Sequence, residues 1–171
     1  TGMRDLLART LREIVEIDIS IGPDLWTAQV DRGQLEHALL NLAINARDAM
    51  GSGGVLSVRC SNRRIGEDDA GRYPDAVPGD YVAVEVRDTG YGMAHDVAER
   101  AFEPFFTTKE VGEGSGLGLS MVYGFARQSG GCAVIASAPG AGTTVTLLLP
   151  RAARIEAGPA EPVAEESPAG Q

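Results

Sequence analysis

The sequence predicts an α+β sandwich: one mixed, mainly antiparallel sheet with helices on one face. Three observations lead there. Strand-like runs follow one another as hairpins mixed with helices, instead of repeating βα units. One long stretch carries apolar residues at three- and four-residue steps, so it makes a helix with a single face to bury. The last stretch of the chain is too poor in large apolar groups to fold.

The elements follow in order. Residues 3–12 read as a short helix. Over 12–20, Ile14, Val15, Ile17 and Ile19 make a strand pattern, and a second short strand is expected at 26–30, around Trp26. In the long helix Leu35, Ala38, Leu39, Leu42, Ala43 and Ala46 share one face. Asp31 is placed to cap its start, and Gly51, Gly53 and Gly54 to end it. Residues 55–63 alternate as a strand, with Leu56, Val58 and Cys60 on one face. Gly, Pro and Asp dominate 64–79, which reads as a loop. A strand over 81–88 runs directly into Thr89-Gly90-Tyr91-Gly92. A short helix is expected near 96–101, then an irregular, glycine-rich stretch over 102–116. Residues 117–129 read as a helix ended by Gly130-Gly131, and strands over 132–137 and 143–149 flank the turn Pro139-Gly140-Ala141-Gly142. Residues 151–171 are built from Ala, Pro, Glu and Gly and read as a disordered tail or linker, which leaves 1–150 as the folded domain.

The 171 residues suffice for one domain with its own core. No apolar run approaches the roughly 20 residues that span a bilayer, and no signal-peptide pattern opens the sequence, so a cytoplasmic location is expected. The net charge of −9 repels phosphate backbones and anionic lipid, which argues against nucleic acid or membrane as a main partner. Cys60 and Cys132 lie far apart in strand-like runs, with no metal-type spacing, and read as reduced thiols at or near the core. His37 and His95 are isolated and read as surface residues.

Candidate chemistry sits at three places. On the long helix, Asn41, Asn45 and Asp48 fall at i, i+4 and i+7, one stripe at the edge of the apolar face. Asparagine is a poor helix former, and neutral amide oxygens suit a hard cation already part-coordinated by phosphate. Asn45 lies nearest the core side. Asp88-Thr89-Gly90-Tyr91-Gly92 puts a carboxylate at a strand end, where it can accept from the exocyclic amine of adenine. Gly112-Glu113-Gly114-Ser115-Gly116-Leu117-Gly118-Leu119 opens a helix, and such a backbone points free N–H groups at an anion. No Gly-Lys-Ser/Thr follows, so this is not a Walker A loop. Taken alone, each run has a plainer reading: a solvated helix margin, a turn, a hinge.

Their order carries more. Residues 31–150 resemble the catalytic domain of sensor histidine kinases, the Bergerat-type ATP-binding fold shared with gyrase, the Hsp90 chaperones and mismatch-repair ATPases. Asn41-Leu42-Ala43-Ile44-Asn45-Ala46-Arg47-Asp48-Ala49-Met50 resembles that family's N box, residues 88–93 its G1 box and residues 112–119 its G2 box. Phe102-Glu103-Pro104-Phe105-Phe106-Thr107-Thr108-Lys109 resembles the F box, the run that separates histidine kinases from their cousins.

The resemblance implies roles. Asn45 would bind Mg²⁺ with the ATP phosphates, with Asn41 beside it as the second candidate catalytic residue. Asp88 would read the adenine amine, helped by Thr143, while Gly90 and Gly92 let the base approach and Met93 and Phe102 border the nucleotide. Residues 102–118 would form an ATP lid. Within or beside it, Gly114, Ser115, Gly116, Leu117, Gly118 and Leu119 would cradle phosphate, and Lys109 would help neutralise it. Asp48 stands where many of these kinases carry a basic residue, with Arg47 adjacent.

The implied activity is transfer of the γ-phosphate to a histidine on a separate dimerisation helix, with a response-regulator receiver domain downstream and a monomeric isolated domain. Neither His37 nor His95 begins the run expected around a phospho-accepting histidine. A scaffolding or ATP-hydrolysing domain of the same fold is the alternative. Hydrolytic relatives place a glutamate where this chain has Asn41, and an amide cannot act as a base near neutral pH.

Overall fold

The computed structural model describes residues 5, 7, 15–104, 106 and 118–152. They form a five-stranded sheet in the order β1-β2-β3-β5-β4. The strands are β1 Val15–Ile21, β2 Gly54–Ile65, β3 Gly79–Asp88, β4 Cys132–Ser137 and β5 Thr143–Pro150. The helices are α1 Arg32–Ala49, α2 His95–Arg100 and α3 Gly118–Gln128, with a 3₁₀ turn at Glu67–Asp69. Only β1 and β2 pair in parallel, and α1 is the crossover that a parallel pair requires. The other pairings are antiparallel, so the sheet is mixed as expected.

Strand alternation sorts the side chains onto two faces. Leu56, Val58, Val84, Val86, Val145, Leu147 and Leu149 form the main core with Ala38, Leu39, Leu42, Ala43 and Ala46 of α1 and Val122, Phe125 and Ala126 of α3. A fully buried aliphatic side chain such as Leu147 contributes about 1.5–3 kcal/mol relative to exposure. The opposite face is half covered by the segment 66–78, which packs Tyr73 and Ala76 on Ile65, Tyr81, Ala83, Cys132 and Leu148. Its Asp75 reaches past the edge strand β4 to the helix layer. There the carboxylate accepts from the Tyr123 hydroxyl at 3.1 Å, and the carbonyl accepts from the Arg127 guanidinium at 2.9 Å. Cys132 is fully buried and Cys60 half-buried, and burial pushes both thiols up.

Asp31 caps α1 as expected, accepting from the Gln34 amide at 2.9 Å. The expected strand at 26–30 is absent; only an isolated bridge joins Ala28 to Arg151. The reason lies on β2, where Asn62 accepts from the Trp26 amide at 2.7 Å and donates to the Asp24 carbonyl at 2.8 Å. A side chain thus fixes the start of the segment, and Thr27 and Gln29 meet Ala152 and Pro150 through single backbone bonds that fall short of a ladder. Of the expected helix at 3–12, Asp5 and Leu7 are helical and the rest lies outside the described residues. Arg151 and Ala152 belong to the fold rather than to the tail: their amides donate to Asp80 and Thr27, at 3.0 and 2.7 Å. The guanidinium of Arg151 also stacks over Trp26, 4.4 Å from the ring centre.

Candidate nucleotide site

The site assembles where the end of α1, the end of β3 and the start of α3 meet. Asn41 and Asn45 are both half-buried on α1, while Asp48 is exposed. What singles out Asn45 is its neighbour. A Cβ built on Gly118 would lie 3.6 Å from Asn45 Nδ2 and 3.9 Å from Oδ1. The Asn45 amide therefore faces the first residue of α3, the helix start whose free N–H groups favour an anion. Arg47 and Asp48 pair with each other at 3.5 Å, so the acidic residue at the place of an expected cation draws the adjacent arginine to itself.

Asp88 ends β3 and is almost fully buried. Its Oδ1 accepts from the amides of Gly90, at 2.9 Å, and Thr143, at 3.2 Å. Oδ2 accepts nothing from a described residue, and no enclosed side-chain polar atom among them lacks a partner, so Oδ2 keeps some access to solvent. Burial raises the carboxyl above its ordinary value, against the opposing pull of the two N–H groups. It presents an acceptor edge on the helix side of the sheet.

Gly90 and Gly92, expected to let a base approach, also have a structural part beside this edge. A Cβ at Gly90 would sit 2.5 Å from the Ala49 carbonyl oxygen. The next amide, that of Tyr91, donates to the same oxygen at 3.2 Å, tying the loop to the end of α1. Gly92 has φ +72° and a Cβ there would meet the Ala138 carbonyl oxygen at 2.0 Å. Both glycines let the protein close upon itself; the space at their Cβ positions is already filled.

Ser137, the last residue of β4, went unnoticed in the sequence. Its hydroxyl accepts from the Met93 amide at 2.8 Å, donates to the Gly142 carbonyl at 2.9 Å, and lies 2.8 Å from the Thr143 hydroxyl. A hydroxyl closing an otherwise apolar strand just before a Pro-Gly turn was the available signal. Phe102 stacks on Tyr123 of α3 with ring centres 5.2 Å apart, and Leu119 packs on the main core. Lys109, Gly114, Ser115, Gly116 and Leu117 lie outside the described residues.

No group of three His, Cys, Asp or Glu among the described residues could hold a metal. A cation here would take amide oxygen and ligand oxygens, and Asn45, which makes no hydrogen bond with a described residue, is placed to supply the first. The donor set fits a metal that arrives with its phosphates.

This arrangement of a carboxylate at a strand end, an asparagine helix and a helix start facing it defines the class. The chain belongs to the family of histidine kinase-, DNA gyrase B- and HSP90-like ATPases, whose model matches residues 30–153. Within that family it is an ATP-binding domain of the sensor histidine kinase type. It is 50% identical over 149 residues to the sensor kinase CckA of Brucella abortus (strain 2308), covering 87% of this chain and 16% of that protein. It is 38% identical over 136 residues to the sensor histidine kinase ZraS of Escherichia coli (strain K12), covering 80% and 26%. The solved structure of full-length ShkA in complex with AMPPNP superposes with a TM-score of 0.69 at 28% identity, covering 88% of this chain and 28% of that one. The chain thus spans a minor part of each relative. No described helix is long and apolar enough to cross a membrane.

Proposed function

We propose that this domain binds Mg-ATP between α1, the end of β3 and the start of α3, and donates the γ-phosphate to a histidine on a separate helical domain. The observation that carries the reading is the facing of Asn45 on α1 and Gly118 at the start of α3, together with the acceptor edge of Asp88 at the end of β3. Asp88 Oδ2 would accept from the adenine amine, and Asn45 with the first amides of α3 would hold the phosphate end. Mg²⁺, when bound, neutralises phosphate charge and orients the terminal phosphoryl group. In transfer, a ring nitrogen of the acceptor histidine bonds to the γ-phosphorus as its bond to the bridging oxygen breaks, and ADP leaves. Catalysis of this kind comes mostly from positioning.

Titration calorimetry with a non-hydrolysable ATP analogue tests the binding. Heat and saturation are expected, stronger with Mg²⁺ than without; no heat at millimolar nucleotide sinks the proposal.

The acceptor must come from elsewhere. His37 is exposed on α1, a turn before Asn41, and His95 is exposed and paired with Glu99 at 2.9 Å. With labelled ATP, the chain alone is expected to stay unlabelled, and acid-labile label is expected on an added phosphoacceptor helical domain of a sensor kinase. Label on this chain, abolished by His37→Ala or His95→Ala, contradicts that. Rapid steady-state phosphate release would favour a hydrolytic domain, against which Asn41 offers only an amide. The receiver domain of a response regulator is the expected next partner.

A further inference from the structure

Asp88, Thr143 and Ser137 stand side by side at the ends of three neighbouring strands, Asp88 opposite Thr143 and Thr143 opposite Ser137. Their hydroxyl protons can be placed by elimination. The Gly142 carbonyl can only accept, so for all three Ser137 contacts to form together the single proton of Ser137 lies on that bond. The Met93 amide takes one Ser137 lone pair. The remaining contact, 2.8 Å between the two hydroxyls, must then use the proton of Thr143. Thr143 Oγ1 is left with lone pairs alone, on the residue paired with Asp88 across β3 and β5.

We propose that Ser137 is a specificity-determining positioning residue: by taking the Thr143 hydroxyl proton, it makes the Asp88–Thr143 edge an all-acceptor edge. Such an edge welcomes an amino group and repels a carbonyl oxygen. Where Asp88 Oδ2 and Thr143 Oγ1 each take one hydrogen of the 6-substituent, the edge selects a 6-aminopurine over a 6-oxopurine. The inference rests on the nucleotide-binding reading above. Without Ser137, the Thr143 hydroxyl is released to turn outward and donate, so the edge becomes tolerant of an oxo group.

The test is competitive titration of the whole chain with ATP and inosine triphosphate, with the thermal midpoint of each variant measured alongside. The unaltered chain is expected to prefer ATP strongly. Ser137→Ala is expected to cut that preference about tenfold, a change of about 1.4 kcal/mol, through weaker ATP binding together with unchanged or stronger binding of the inosine nucleotide. Ser137→Thr keeps the hydroxyl and is expected to keep the preference. Equal losses for both nucleotides in Ser137→Ala would mean that Ser137 only holds the loop, and the inference fails. Should Ser137→Ala not fold, Thr143→Val removes the same acceptor and is expected to lower the preference; an unchanged ratio there overturns the inference as well. Failure of the unaltered chain to bind either nucleotide would overturn the proposed function itself, an outcome distinct from binding without discrimination.

Discussion

Asp88→Asn is expected to weaken ATP about tenfold to a hundredfold while leaving the nucleotide-free domain at least as stable as before. A hydrogen bond to a charged group is worth about 1.5–3 kcal/mol, and each 1.4 kcal/mol is about a factor of ten. In the variant, the amide oxygen keeps the two internal bonds from Gly90 and Thr143. The amide nitrogen then occupies the open position and presents donors where the adenine amine needs an acceptor. Stability moves the other way, because the folded domain raises the Asp88 pKa through burial. Folding therefore favours the protonated form. The penalty for ionising Asp88 is absent below the ordinary carboxylate pKa, grows as pH rises toward the raised folded value, and is constant beyond it. Denaturant melts at acid and neutral pH should show the variant's advantage widening at neutral pH. An advantage equal at both, or a loss confined to neutral pH, would show that the carboxylate's charge is better compensated than its surroundings indicate.

Gly142→Ala is expected to be severely destabilising, and Gly140→Ala only moderately so. Both glycines have left-handed backbone, with φ +72° and +77°. That conformation costs a residue with a Cβ about 1–3 kcal/mol. At Gly140 a Cβ would meet nothing within 4 Å, so this is the whole effect. At Gly142 it would lie 2.1 Å from the Asp88 carbonyl oxygen and 3.2 Å from Thr89 Cα. Main chain cannot swing aside as a side chain can, so β3 and β5 must part where Asp88 meets Thr143. Thermal midpoints separate the two contributions, since about 1 kcal/mol moves a domain of this size by roughly 2–4 °C. Similar midpoints for the two variants would show that the turn yields freely and that the close approach does not constrain the site.

What the sequence disclosed and what it hid follow from the range of the interactions. The face of α1 was legible because Leu35, Leu39, Leu42 and Ala46 repeat locally. So were the cap at Asp31 and the strand ending at Asp88. The segment 26–30 was misread because its deciding partner, Asn62, lies 36 positions away. Ser137 was hidden for the same reason, since the Met93 amide that it receives lies 44 positions earlier. The glycines at 90 and 92 were visible as residues, yet their purpose was not, because it depends on where Ala49 and Ala138 arrive in space. Asn45 could be suspected from its stripe, but only the fold brings Gly118 against it.

β5 is the last of the described strands in sequence, yet it lies inside the sheet, between β3 and β4. During synthesis the earlier strands emerge with one margin of β3 unpaired. A ribosome-bound chain that stops before residue 143 lacks the middle of its sheet, whereas loss of an outer strand would leave the rest intact. Thr143, which begins β5, also completes the acceptor edge beside Asp88. On the proposed function, nucleotide binding is therefore expected only after β5 has entered the sheet, so that a chain stalled before it stays silent.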